Sequence, residues 1–190
     1  MDTIVWILIL LTAFNFLLKQ TFWKPVAVGA AAGIAAIFVI LMWPYAIEQS
    51  KTQIADWLSD NQLMLDTSVV LTLEIVLQMA FCLLAVHVAN YSPVKKRMML
   101  AYRLLYWFPG VLIIPVLFFG LTQAVFSFPG VSFKLIAWFF GAFVFVIIPL
   151  GRWLIKWLLP EEDLRLELFF LTNALVAILG IIATVNGRTA

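Results

Sequence analysis

Residues 69–88 read VVLTLEIVLQMAFCLLAVHV, twenty positions in which Glu74 is the one acidic residue and His87 stands near the far end. A helix of about 20 apolar residues matches the hydrocarbon thickness of a bilayer. Water does not readily solvate a carboxylate at that depth, so an ionisable group there has a partner or a task. The rest of the chain fits the same environment. Of its 190 residues 65% are hydrophobic and 12% charged, and the mean hydropathy is +1.08, outside the range of soluble domains. The chain therefore reads as an all-α integral membrane protein, a single transmembrane helical domain over residues 1–190 with short loops.

Windows of about 19 residues predict six spans, at roughly 3–21, 25–47, 67–90, 103–126, 132–158 and 164–186. The apolar runs are continuous rather than alternating, which excludes membrane strands. Pro25 suits a first helical turn, Pro44 lies near a helix end, and Ser127-Phe128-Pro129-Gly130 predicts a tight reversal between the fourth and fifth spans. Met1-Asp2-Thr3 lacks the basic region that precedes the apolar core of a cleavable signal, so the first run is expected to be kept as a span. Cys82 is the single cysteine, which excludes an intramolecular disulfide and a multi-cysteine metal cluster.

If six spans alternate, Lys19, Lys24, Lys95, Lys96, Arg97, Arg103, Arg152, Lys156 and Arg165 fall on one side, and only Lys51, Lys134 and Arg188 on the other. The positive-inside rule makes the first side cytoplasmic and turns both termini outward. The expected location is the bacterial inner (cytoplasmic) membrane, crossed several times. Trp23, Trp43, Trp57, Tyr91, Tyr102, Tyr106, Trp107, Trp153 and Trp157 stand near predicted boundaries, where amphipathic rings anchor helices among lipid head groups. The one sizeable loop, Glu48–Asp66, carries Ile54, Trp57, Leu58 and Leu65 at helical spacing beside Asp56, Asp60 and Asp66. This predicts a short amphipathic periplasmic segment lying on the outer interface; the alternative is a docking surface for a periplasmic partner.

Within the third span, Thr67, Glu74 and Gln78 share a helical face to within roughly 40°, with Ala85 on the same stripe. Such a stripe faces the protein interior or a water-filled cavity. Glu74, Gln78 and Thr67 are therefore candidates for handling a proton or cation, the other reading being a neutral acid that joins helices by hydrogen bonding. His87 is the only histidine. It is either a ligand or proton relay or an interfacial polar residue, and it lies about 20 Å along the axis from Glu74, too far for direct contact. Asn15, Gln123, Thr172 and Asn173 are further polar positions in apolar surroundings, with interhelical hydrogen bonding as their expected role.

Gly29 and Gly33 give the second span a GxxxG spacing, extended by Ala36, which predicts a close-packed face toward another helix or another chain. Pro109-Gly110 and Pro115 in the fourth span, and Pro149 near Gly151 in the fifth, predict bends or interrupted hydrogen bonding. Lys95, Lys96 and Arg97, after Pro93-Val94, form a basic cluster for lipid or partner contact, or for topology alone. In Pro160-Glu161-Glu162-Asp163-Leu164-Arg165 the acids suit the N-terminus of the sixth span.

The sequence contains no HExxH, no GxSxG, no phosphate loop and no paired carboxylates within a span, so catalysis is disfavoured. Three readings stay open: a non-catalytic subunit of a larger membrane complex, a small ion or solute transporter or channel using Glu74, and a membrane haem-binding or electron-transfer subunit. A single histidine cannot supply bis-histidine haem ligation, which weighs against the third.

The six-span layout, the segment Arg103-Leu104-Leu105-Tyr106-Trp107-Phe108-Pro109-Gly110 and the ending Ala183-Thr184-Val185-Asn186-Gly187-Arg188 resemble the small polytopic membrane protein (HmuT-like) of Bacteroidota haem-uptake operons. That resemblance implies other membrane subunits as partners: an ExbB/MotA/TolQ-type proton channel, an ExbD-like protein and a large chelatase-like haem-processing protein. It further implies a place in haem acquisition driven by proton motive force, with Glu74 and His87 as the residues to test. Haem enters as a cofactor through the resemblance alone, and no catalytic residue is carried over by it.

Overall fold

A computed structural model describes residues 2–49, 61–90, 95–128 and 130–186. These residues form seven helices and no strand: α1 (Asp2–Gln20), α2 (Pro25–Ile47), α3 (Asn61–Asn90), α4 (Lys96–Trp107), α5 (Ile113–Ser127), α6 (Phe133–Leu158) and α7 (Glu162–Asn186). Four stretches are long and apolar enough to cross a bilayer: Pro25–Ile47, Asp66–Asn90, Phe133–Leu158 and Glu162–Ile182. Two shorter apolar stretches, Trp6–Gln20 and Ile113–Ser127, accompany them.

Helix starts and stops follow local chemistry. Pro25 opens α2, where its missing N–H costs nothing. Glu162 and Asp163 occupy the first turn of α7, as expected for acids at the positive end of a helix. Gly130, in the turn between α5 and α6, has a φ of +96°, a left-handed conformation that glycine adopts without a Cβ penalty. Pro44 and Pro149 lie inside α2 and α6, which continue through them. Pro115 falls in the first turn of α5, where a proline removes no internal hydrogen bond. The remaining predicted site of interruption is real: the expected fourth span, 103–126, is two helices separated at Phe108–Leu112. Pro109 has no N–H to donate and Gly110 has a φ of +99°, so a regular helix cannot pass.

The helices pack as two groups with α1 between them. In the first, α2 lies along α6 with α5 beside both; in the second, α3 lies along α7 with α4 on α3; α1 touches α5, α6 and α7. Two apolar cores fill the bundle, the second reaching α6 through Ile155. One includes Val28, Ala32, Val39, Leu121, Ala137 and Val144; the other is built from Leu18, Phe81, Cys82, Ile155, Leu166 and Phe169. Outside these cores the surface stays apolar, with Val26 84% and Phe139 70% exposed. Contiguous exposed apolar area of this kind marks contact with a partner or with lipid; on helices of this length, lipid is the medium that suits it.

Within this chain the close-packed face of α2 is not the Gly29–Gly33 pair. Neither glycine has any atom within 4 Å of where a Cβ would stand. The buried small residues are Ala32, Ala35 and Ala36, and α2 meets α6 at Gly141, where a Cβ would come within 2.8 Å of Ile40 Cγ1 and 3.3 Å of the Ala36 carbonyl. Ala32 and Ala36 keep the four-residue spacing of small side chains that lets helices approach. Gly29 and Gly33 open outward from this pair.

Hydrogen bonds gather several helix ends at one end of the bundle. Arg152 of α6 donates from Nε to the Gln20 carbonyl at 3.2 Å and from Nη2 to the Trp23 carbonyl at 3.0 Å. Trp23 Nε1 donates to the Tyr106 carbonyl and the Tyr106 hydroxyl to the Phe22 carbonyl, both at 2.7 Å. Trp23 is thereby buried within the bundle, whereas Trp107, Trp153 and Trp157 are more than half exposed. The expected anchors Trp57 and Tyr91, residues 50–60 of the expected amphipathic loop, and the Pro93-Val94 part of the basic cluster lie outside the described residues.

Gly141→Leu is expected to destabilise the folded chain by about 1–3 kcal/mol, the usual cost of overpacking. Leu at both Gly29 and Gly33 should leave the isolated chain as stable as wild type. Unfolding in mixed micelles measures both, and equal effects of the two changes would refute the assigned packing face.

Candidate functional site

The break between α4 and α5 leaves backbone groups without partners inside an apolar bundle. The first N–H groups of any helix have no acceptor within that helix, and a side chain at the N-cap position commonly supplies one. Here the N-cap residue of α5 is Leu112, which has no acceptor to offer. The acceptor comes from α3 instead. Glu74 Oε2 accepts from Val111 N at 2.6 Å and from Leu112 N at 2.7 Å, while its Oε1 accepts from Gln78 Nε2 at 2.8 Å. Glu74 is 6% exposed and Gln78 4%. All three partners are donors, so an ionised carboxylate satisfies them without a hydrogen of its own, and the positive end of the α5 dipole favours that charge.

Gly110 is what lets the carboxylate in. A Cβ there would stand 2.6 Å from Glu74 Oε1 and 3.0 Å from Gln78 Nε2, in addition to the strain of a side chain at φ +99°. One buried polar atom at the site has no partner, Gln78 Oε1.

The opposite side of the break carries the opposite charge. Lys19 of α1 is 1% exposed and donates from Nζ to the Leu105 carbonyl, near the end of α4, at 3.0 Å. The same ammonium lies 3.0 Å from the centroid of the Phe81 ring and 5.7 Å from that of Phe169, an arrangement that aromatic quadrupoles favour. A basic group thus meets the negative end of α4 and an acidic one the positive end of α5, each placed where its charged form is favoured. Arg165 follows the same rule one helix away, donating from Nη1 to the Leu159 and Pro160 carbonyls at the end of α6, each at 2.7 Å.

Of the residues singled out from the sequence, Glu74 and Gln78 come together with the break. Thr67 does not join them: it is exposed and about 10 Å along the axis from Glu74. His87 is partly buried in the last turn of α3, beyond reach of the carboxylate, and Lys95, Lys96 and Arg97 are exposed. The buried stripe on α3 continues from Gln78 through Phe81 and Cys82 to Ala85, which packs against the second core. Asn15, Thr172 and Asn173 are buried; the Thr172 hydroxyl donates to Asn15 Oδ1, the expected interhelical bond, whereas Asn173 Nδ2 donates to the Phe169 carbonyl within α7. Among the described residues no group of three or more His, Cys, Asp or Glu side chains is arranged to hold a metal ion.

Two participants are absent from the sequence reading. The Val111 and Leu112 N–H groups carry no side-chain signal, and Lys19 was counted there only as a charge that sets topology. Asn15 and Lys19, four residues apart and so on one face of α1, were the available hint that this lysine turns inward. Comparison with protein-family models, curated proteins and solved structures finds no match to this chain.

Glu74→Ala should cost about 1–3 kcal/mol for each backbone N–H left unpaired and should speed hydrogen exchange at Val111 and Leu112 specifically. Gly110→Ala should destabilise by about 1–3 kcal/mol, as strained backbone positions do. Wild-type exchange at those two amides in the Glu74 variant would sink the clamp.

Proposed function

We propose that this chain is a non-catalytic, multi-pass subunit of a larger inner-membrane assembly coupled to the proton motive force, and that its own contribution to coupling is the Glu74 clamp on the interrupted helix. The observation that carries this reading is a buried carboxylate that accepts from the two backbone N–H groups immediately before α5, those of Val111 and Leu112. A change in its charge would act directly on the point where two helices join. Structural acids in membrane helices serve packing; this one holds a break, and breaks of this kind are where membrane proteins move.

In this reading the chain crosses the bilayer six times, α4 and α5 together making the fourth crossing, with both termini outside. Support comes from the gathering of Lys19, Arg152 and Arg165 with their helix ends, which agrees with a basic cytoplasmic side. The resemblance to the haem-uptake protein supplies a setting, in which a proton channel of the ExbB/MotA/TolQ type and a large haem-processing protein are the partners and lipid surrounds the assembly. Gly29 and Gly33, open to the outside of this bundle, suit contact with such a neighbour.

A second reading, a small transporter, is favoured by the same interrupted helix, because opposed half-helix ends bearing charges are a common way to build an intramembrane ion or substrate site. Proteins that copurify in mild detergent support the subunit; ion flux by the purified chain alone in liposomes supports the transporter.

Glu74→Gln is expected to leave the copurifying complex assembled, since an amide oxygen still accepts from Val111 and Leu112, and to lower ion-coupled activity by about tenfold, equivalent to ~1.4 kcal/mol on the barrier. Full activity in that variant would reduce Glu74 to a structural cap.

A further inference from the structure

Each oxygen of Glu74 has a separate task. Oε2 holds the backbone of the break, and Oε1 faces only the Gln78 amide. That amide places its nitrogen toward the carboxylate and leaves its own oxygen buried without a partner. Turned by half a rotation, it would present the oxygen instead, and a carboxylic acid could then donate to it.

We propose that Glu74 and Gln78 form a proton-specific site with two hydrogen-bonded states, exchanged by rotation of the Gln78 amide, and that protonation loosens the cap on α5. The proposal rests on the clamp being the coupling element and names its ligand. In the ionised state Gln78 Nε2 donates to Oε1 and both backbone N–H groups donate to Oε2. One proton then binds Oε1, the amide turns, and the new O–H donates to Gln78 Oε1. Oε2 becomes a carbonyl oxygen that still accepts from Val111 and Leu112, through weaker, neutral hydrogen bonds. Each state leaves one atom of the amide unpaired, so the amide itself favours neither.

The same geometry disfavours a metal cation. Na⁺ or K⁺ must exchange its hydration shell for oxygen ligands, whereas the carboxylate here is surrounded on both oxygens by N–H donors. Among the described residues, the ionisable groups clustered against α3 include Lys19 of α1, Tyr102 and Tyr106 of α4, and Arg165 and Glu162 of α7, with Asp66, Cys82 and His87 on α3 itself. Lys19, Tyr102 and Tyr106 lie against Phe81, Arg165 lies over Phe22, which packs on Phe81, and Cys82 shares that core. Phe81 is seven residues, about 10 Å, beyond Glu74 along the helix. The groups in direct contact with the carboxyl are all neutral.

Infrared difference spectra of the full chain in liposomes, taken between two pH values, test this. Lowering the pH should produce a protonated-carboxyl band that is lost in Glu74→Gln. A glutamine side-chain amide band should shift with it, and that shift should vanish in Gln78→Leu while the carboxyl band remains. Hydrogen exchange at Val111 and Leu112, corrected for intrinsic pH dependence, should rise about tenfold on protonation, in line with ~1.4 kcal/mol of weakened bonding. Adding Na⁺ at constant pH should change nothing. A carboxyl band without the amide shift, no Glu74-dependent band, or a response to Na⁺ would overturn the site. The activity of Glu74→Gln in the copurified complex reports separately: normal activity with both bands present rejects the coupling role and leaves the site, and lost activity without the bands does the reverse.

Discussion

The hydrogen bonds from the Val111 and Leu112 N–H groups to Glu74 are the constraint on which the rest of this bundle depends. A lipid-exposed backbone has no water to satisfy it, so a spanning chain is ordinarily continuous helix. This chain breaks a helix at Phe108–Leu112, and each freed group must then be met by protein. The solution is one ion for each half. Glu74 takes the two donors of the break just before α5, and Lys19 takes an acceptor near the end of α4. A buried charge and a buried helix end are each unfavourable alone; matched in sign, they offset one another.

That matching also explains how the two helix groups are held together. α4 belongs with α3, whereas α5 belongs with α2 and α6, so the chain passes from one group to the other through the break. A straight helix could not do this. Lys19, reaching from α1 to α4, and Trp23, reaching from the segment after α1 to the Tyr106 carbonyl, add side-chain ties at the same level. The apolar cores supply bulk stabilisation, and Ile155 of α6 in the second core joins the groups by apolar contact as well, while the polar bonds to backbone add direction.

How much of this the sequence discloses depends on whether the signal is carried by one residue or by a pairing. Five of the six expected spans each correspond to one helix, because composition over about 20 residues suffices to mark them. The interruption at Pro109-Gly110 was legible, since proline and glycine act on their own backbone. The demand of Glu74 for a partner on another helix was legible too, but the partner was not: Val111 and Leu112 offer only main chain, which every residue has. Lys19 was hidden for the opposite reason, because a lysine near a helix end has an ordinary explanation. Within this chain α2 packs through Ala36 against Gly141 rather than through Gly29 and Gly33, a choice that four-residue spacing alone cannot make, since Ala32–Ala36 has the same spacing.

The size of the effect available at Glu74 bears on what the chain can do alone. Hydrogen bonds to a charged acceptor contribute roughly 1.5–3 kcal/mol each and neutral ones about 0.5–1.5, so neutralising Glu74 weakens its two backbone bonds by about 2–3 kcal/mol together. Carrying a two-state equilibrium from one hundredth to ninety-nine hundredths occupancy takes about 5.5 kcal/mol. One clamp therefore biases the break without throwing it. A complete movement of α5 would need a further contribution that distinguishes the two states, which in the proposed assembly a neighbouring subunit against α2 or α5 would supply.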